Sequence, residues 1–264
     1  MKLSSNPCVS VVMATYNGKP YLAEQLRSVL AQLLPGDELI IVDDGSLDGS
    51  LELIDGLASP LVRCVRNAQN LGVLATFERG LLLSSKDIVF LCDQDDVWLP
   101  GKRDAVVGVF ENDPHLWVVI SDAELIDACG QLTEPSFMAT RGGFRGGLGQ
   151  TLMSNRYLGC AMALRRELLC VALPIPRQVP MHDMWFGALA SMLGNVHYIS
   201  RPLIQYRRHG GNASPAISQN CLRMLRWRTD LMLALVVRLS AWMLGRHKPQ
   251  WPKPEQTGGS KNDS

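Results

Sequence analysis

Three carboxylates crowd into four positions of this 264-residue chain, Asp93, Asp95 and Asp96, with Gln94 between them. Like charges this close raise one another's pKa and repel, a cost that a cation or a basic group removes. Alternate residues of an extended segment share a face, so Asp93 and Asp95 can point together at one hard cation. Mg2+ or Mn2+ suits such a site, because it keeps several waters and accepts phosphate oxygens in the remaining positions. The competing reading is a solvated acidic turn in which Asp96 caps the next helix.

Two more polar clusters have chemical potential. In Asp43-Asp44-Gly45-Ser46 a carboxylate can accept hydrogen bonds from a nucleobase or ribose, while Ser46 and Asp48 can cap a helix. Thr15-Tyr16-Asn17-Gly18 offers backbone amides, an aromatic face and an amide side chain, which suit a nucleotide, although Asn-Gly is also a simple turn. No G-x-G-x-x-G and no G-x-x-x-x-G-K-[ST] occurs, which argues against dinucleotide oxidoreductases and P-loop NTPases.

Each cluster follows an apolar run that reads as a strand: 9–14, 38–42 and 88–92, with further strands at 61–65 and 116–120. Helical patterns fall between them at 21–33, from Ser46 or Asp48 to about 56, 71–83 and 100–112. Alternation of this kind predicts an α/β fold with a parallel sheet, whose ligands bind beyond the carboxyl ends of the strands. The second half is less regular. A strand is expected at 158–164, a helix at 184–193 and a short strand at 196–199. Residues 141–150 hold five glycines and read as a mobile loop.

Apolar residues make up 47% of the chain and charged ones 19%, and 26 basic against 25 acidic residues leave no overall field for a polyanion such as nucleic acid. The seven cysteines form no C-x-x-C pair and read as buried, reduced thiols of a cytoplasmic protein. The first seven residues lack a signal-peptide layout, and no stretch reaches the about 18–20 apolar residues of a membrane span.

The motifs VSVVMATYNG, IIVDDGSLDGS, NAQNLGV, IVFLCDQDDVWLPGK, YLGCAMALRREL, MHDMW and YRRHGGNAS, in this order over about residues 8–215, resemble family 2 of the inverting glycosyltransferases. The resemblance implies a GT-A fold, a Rossmann-like, mostly parallel sheet flanked by helices. DQDDVWLPGK and HD-x-W are similar to bacterial rhamnosyltransferases of lipopolysaccharide or O-antigen synthesis. It further implies that Thr15, Tyr16 and Asn17 line the base and ribose pocket and that Asp43 holds the base. Asp44 and Ser46 share that loop, with Asn70 and Gly72 near the nucleoside. Asp93 and Asp95 match the family's D-x-D pair, Asp95 as the main metal ligand and Asp93 facing ribose or metal. Asp96 would reach the donor sugar. Asp183 matches the catalytic base, with His182 as its rival and Trp185 on the same acceptor side as Gly159 and Cys160. His209 would be a third metal ligand or a phosphate donor, with Arg207 and Arg208 at the diphosphate.

The expected donor is dTDP-rhamnose or a UDP-hexose such as UDP-glucose or UDP-galactose, and the acceptor a glycan or lipid-linked glycan. With no Q-x-x-R-W motif, single-residue addition is expected. Two rival readings are a nucleotidyltransferase, which needs a Gly-rich basic loop after the first strand, and a binding module with a degenerate site. The catalytic domain is expected over 1–217. Residues 218–248 read as a basic helical segment, either packed on the domain or lying on the cytoplasmic face of the inner membrane, and 249–264 as a disordered tail.

Overall fold

The computed structural model describes residues 7–211 and 221–247. The expected tail at 249–264 and the start of the 218–248 segment lie outside the described residues. Strands β1 (Val9–Thr15), β2 (Glu38–Asp43), β3 (Val62–Arg66) and β4 (Ile88–Asp93) pair in parallel in the order β3-β2-β1-β4. The runs in β1 and β4 are apolar because both faces of these strands are covered. Helices α1 (Lys19–Leu30), α2 (Ser50–Asp55) and α3 (Val73–Leu83) make the crossovers, each within a few residues of the pattern read from the sequence.

The other half of the sheet comes from β5 (Val97–Trp98), β6 (Leu116–Ile126), β7 (Leu132–Glu134), β8 (Met162–Arg165) and β9 (Asn195–Arg207). From β4 the order continues β8-β6-β9-β5, with β7 added beside β6. Strand β8 runs antiparallel to both neighbours, whereas β6 and β9 are parallel, so β1–β4, β6 and β9 all point the same way. Helix α4 (Lys102–Asn112) follows β5, and α5 (Phe137–Thr140), α6 (Gly147–Met153), α7 (Arg166–Ala172) and α8 (His182–Leu193) complete the α/β domain.

Three expectations change here. The strands expected at 116–120 and 196–199 continue to Ile126 and Arg207, because β6 and β9 pair with each other along their lengths. Their register jumps from Ser121↔Ile199 to Asp122↔Pro202, a bulge that accommodates the proline and breaks the alternation a sequence reader would follow. The glycine-rich 141–150 stretch does not stay a loop: α6 starts inside it, at Gly147, and its Leu148 and Leu152 pack against the core. Residues 158–164 begin as a 3-10 turn, Gly159–Ala161, before β8.

The final helix, α9 (Cys221–Met243), buries Leu231, Ala234 and Leu235 against the domain. Arg238 interrupts this apolar stretch in sequence but is turned inward. Its Nη1 donates to the Val171 carbonyl at 2.7 Å, its Nη2 to that of Pro174 at 2.6 Å, and its guanidinium lies over the Trp185 ring. The outward side therefore carries Leu225, Leu233, Val236, Val237 and Met243. Among the described residues no helix is long and apolar enough to cross a membrane.

Candidate active site

The carboxyl ends of β1, β2 and β4 open on a cleft of about 310 Å³. Of the residues singled out in the sequence, Thr15, Tyr16, Asp44, Asn70, Gly72, Asp93, Asp95, Gly159, His182 and Asp183 line it. Residues scattered from position 15 to 183 thus meet in one place.

Four loops, those after β1, β2, β3 and β4, are stitched together by side chains. Gln94 Oε1 accepts from Thr15 Oγ1 at 2.7 Å and from the Tyr16 amide at 2.8 Å, and Gln94 Nε2 donates to the Tyr16 carbonyl at 3.1 Å. A side chain at Gly18 would collide with Gln94, so this tie requires glycine there. Asn17, at φ 48, joins the first loop to the second: its amide donates to Ser46 Oγ, and its Oδ1 accepts from the Leu47 amide. Asp44 then fixes the third loop by accepting from Asn67 Nδ2 at 2.7 Å and from the Leu71 and Gly72 amides at 2.9 Å.

Asp43, Asn17 and Ser46 do not line the cleft. Asp43 is fully buried; its Oδ2 accepts from the Gly45 and Ser46 amides, and Arg66 stands 3.6 Å away. Its Oδ1 has no hydrogen-bond partner among the described residues.

In the acidic cluster, burial and the charges of Asp96, Asp95 and Asp183 hold Asp93 well above the usual carboxylate range. Asp96, expected at the donor sugar, is instead fully buried, and its Oδ1 accepts from the Arg207 amide at 2.9 Å. Burial and the neighbouring Asp95 push Asp96 up to about 7. Beneath the cluster lies a residue to which sequence reading gave no role. Lys102 is fully buried, donates from Nζ to the Cys160 carbonyl at 2.6 Å, and supplies a positive charge that opposes the shifts of Asp93 and Asp96.

The late arginine pair divides. Arg207, expected at the diphosphate, is buried because β9 carries it inward; its Nε donates to the Asp95 carbonyl at 2.8 Å and its Nη2 to Glu24 at 2.6 Å. Arg208 lines a second, adjoining cleft rather than the first. His209 Nε2 lies 2.7 Å from Asp95 Oδ2.

Asp183, which lines the first cleft, is buried at the start of α8, and its Oδ1 accepts from the Met184 amide at 2.6 Å. Burial raises its pKa to about 7, against hydrogen bonds from Met184, Asn155 and Gly159 that pull it down. Burial lowers His182 to about 4, so its imidazole is neutral near pH 7 and packs on Phe77. A Cβ at Gly159 would come within 2.7 Å of His182 Nε2, so this approach also depends on glycine. Trp185 and Cys160, both expected on the acceptor side, belong to the core. Trp185 is fully buried and donates from Nε1 to the Ala172 carbonyl, and the Cys160 thiol is driven up in pKa by burial.

Among the described residues, the group whose ligand atoms lie within 4.8 Å of one another is Asp93, Asp96 and Cys160. A buried, protonated thiol is a poor ligand for a hard cation, so the two cleft-lining carboxylates, Asp93 and Asp95, are the better donors. Three crowded carboxylates, two of them, Asp93 and Asp96, held above their ordinary pKa, fit a site that takes a divalent cation.

This fold and this carboxylate-lined cleft beyond the strand ends define the GT-A class. The Glycosyl transferase family 2 model matches residues 10–169, and the chain belongs to that family. An uncharacterized glycosyltransferase of Nostoc sp. is 29% identical over 77% of this chain and 66% of its own length. The putative glycosyltransferase EpsE of Bacillus subtilis is 30% identical over 52% of this chain and 53% of its own. The chain thus spans between about half and two thirds of the length of these relatives. In three dimensions it is similar to Staphylococcus aureus TarS in complex with UDP-GlcNAc, with TM-score 0.66, 20% identity and coverage of 91% of this chain and 72% of that one. It is also similar to the mannosyltransferase PcManGT of Pyrobaculum calidifontis in complex with GDP-Man and Mn2+, at TM-score 0.57, 20% identity and coverage of 94% and 67%.

Proposed function

We propose that the protein transfers one sugar, with inversion, from a nucleotide diphosphate donor to a glycan acceptor. The observation that carries this reading is the pairing, in one cleft, of a carboxyl group raised to about 7 at Asp183 with the acidic pair Asp93 and Asp95. A general base works best when its pKa lies near the working pH. Asp183 takes the proton of the acceptor hydroxyl as that oxygen attacks the anomeric carbon. His182 is the weaker base, since burial leaves it little affinity for a proton.

Thr15, Tyr16, Asn70 and Gly72 receive the nucleoside, and Asp43, whose Oδ1 has no hydrogen-bond partner among the described residues, holds the base. Asp93 and Asp95 hold Mg2+ or Mn2+, with His209 beside Asp95. A divalent cation held by these residues would supply positive charge to the diphosphate leaving group. The nucleotide sugars bound by TarS and PcManGT, and the Mn2+ of the latter, support this assignment. Motif resemblance favours dTDP-rhamnose, with UDP-glucose or UDP-galactose as the alternative.

Cell-surface polysaccharide synthesis, lipopolysaccharide or O-antigen in particular, is the proposed setting. It is supported by 28% identity over 102 residues to the putative colanic acid biosynthesis glycosyl transferase WcaA of Escherichia coli. The outward apolar side of α9, with Arg226 and Arg246 exposed near its ends, suits contact with the anionic cytoplasmic face of the inner membrane.

A thermal-shift panel of nucleotide sugars, each with and without Mg2+ or Mn2+, tests the donor reading, because a ligand stabilises the state that binds it. Stabilisation by one nucleotide sugar only when the cation is present is the expected result. No stabilisation by any of them refutes it.

A further inference from the structure

A second cleft, about 430 Å³, adjoins the first and shares Asp183 and Tyr206 with it. Three arginines line it, Arg141, Arg208 and Arg228, together with the rings of Phe137, Tyr206 and Trp227. Asp183 is the only acidic residue among its described lining.

Among the described residues, no carboxylate pairs with these arginines. Arg141 lies over the Phe137 ring at 5.2 Å, and Arg208 lies over Tyr206 while donating from Nη1 to the Tyr206 hydroxyl at 3.0 Å. Arg228 reaches in from α9 and donates from Nη2 to the Met153 carbonyl at 2.9 Å. These partners are rings, a phenol and a backbone carbonyl, none of which supplies a negative charge. Guanidinium groups fixed in this way match the planar, bidentate geometry of phosphate and carboxylate oxygens. Aromatic rings between them suit the apolar faces of a sugar ring.

We infer that this cleft is the acceptor site and that its acceptor is a saccharide carrying an anionic group, a phosphate or a carboxylate. The anion sits among Arg141, Arg208 and Arg228, the sugar ring lies against the aromatic side chains, and its hydroxyl faces Asp183. The name acceptor rests on the transferase reading above; the preference for an anionic saccharide does not. Helix α9 is then part of the recognition surface, since Met224, Trp227 and Arg228 form one wall of the cleft.

The test is saturation-transfer NMR on the full chain, without nucleotide, using methyl glucoside, glucose 6-phosphate and glucuronate as probes. At least one anionic sugar should bind about tenfold or more tightly than the neutral glucoside, and the phosphate and carboxylate arms tell the two chemistries apart. That preference should vanish in the Arg141→Gln/Arg228→Gln variant. It should persist in the Arg141→Lys/Arg228→Lys variant, which keeps the charge, and in Asp95→Ala, because Asp95 lines the first cleft and not the second. Equal binding of all three probes overturns the inference. So does a preference that survives the glutamine changes, or one lost in Asp95→Ala, which would move the anion to the donor cleft. If the double glutamine variant melts early, Arg141→Gln alone must still reduce the preference. The nucleotide-sugar panel run on the same samples reports separately on the donor reading, so either can fail without the other.

Discussion

Asp95 and His209, 114 positions apart, meet through a 2.7 Å contact between Oδ2 and Nε2 at the edge of the cleft. The contact ties the acidic loop after β4 to the segment after β9, so whatever binds Asp95 also bears on the chain that follows β9. Replacing Asp95 with Ala should abolish the dependence of donor affinity on Mn2+. His209→Ala should weaken it by about tenfold or more, the usual effect of losing a group that ligates or orients a ligand. Calorimetric titration with and without Mn2+ checks both, and an unchanged cation dependence in Asp95→Ala would refute the metal assignment.

Asp183→Asn should leave donor binding intact and lower kcat by about 10²–10⁴-fold, the usual contribution of a positioned base. In the unaltered protein, the deprotonated carboxylate is the active form. Its pKa of about 7 in the unliganded protein therefore predicts a kcat/KM that rises with pH through that value and levels off above it. A flat profile between pH 5 and 9, or normal turnover in the Asn variant, would move the base elsewhere.

His182 bears on stability in acid. Its folded pKa of about 4 lies below the unfolded value of 6.5, so the unfolded chain takes up the proton first as pH falls. The stability that the neutral, buried ring retains above pH 6.5 is lost progressively down to about pH 4, on the order of 3 kcal/mol. Denaturant melts of His182→Gln and the unaltered protein should therefore differ by an amount that shifts in the variant's favour across that window. A difference independent of pH would show that His182 is not buried in its neutral form.

The outward side of α9 predicts binding to vesicles containing phosphatidylglycerol, in flotation assays, that Val236→Glu/Val237→Glu abolishes. Because these positions are exposed, the melting temperature should hardly change. Flotation unaffected by the charges would rule out this face, and a dimer that the same changes dissociate would make the stripe a contact between copies of the chain.

The first half of the domain was legible because β1, β2 and β4 are buried on both faces and so appear as unbroken apolar runs, each ending in a polar cluster at the cleft. The β6–β9 pairing was not, since its bulges interrupt the alternation that marks a strand and Pro202 reads as a break. Arg207 looked like a phosphate ligand because it stands beside a second arginine and a glycine pair; only the direction of β9 turns it toward Asp95 and Glu24. Lys102 and Gln94 gave no signal, because a polar residue hydrogen-bonded to its own chain looks in sequence like any surface residue. Arg238 adds a charge to the basic segment in sequence, yet in the fold it leaves the outward side of α9 apolar by turning inward.

The family model ends at residue 169, whereas the second cleft also draws on Pro180, Met184, Trp227 and Arg228. On the proposed reading, acceptor recognition therefore draws in part on α9, which contributes nothing to the lining of the first cleft. Grafting the α9 of one relative onto the sheet of another would redirect which glycan is extended while the same activated sugar is consumed. A lineage would on that reading change which acceptor is used by altering one peripheral helix, leaving the lining of the first cleft untouched.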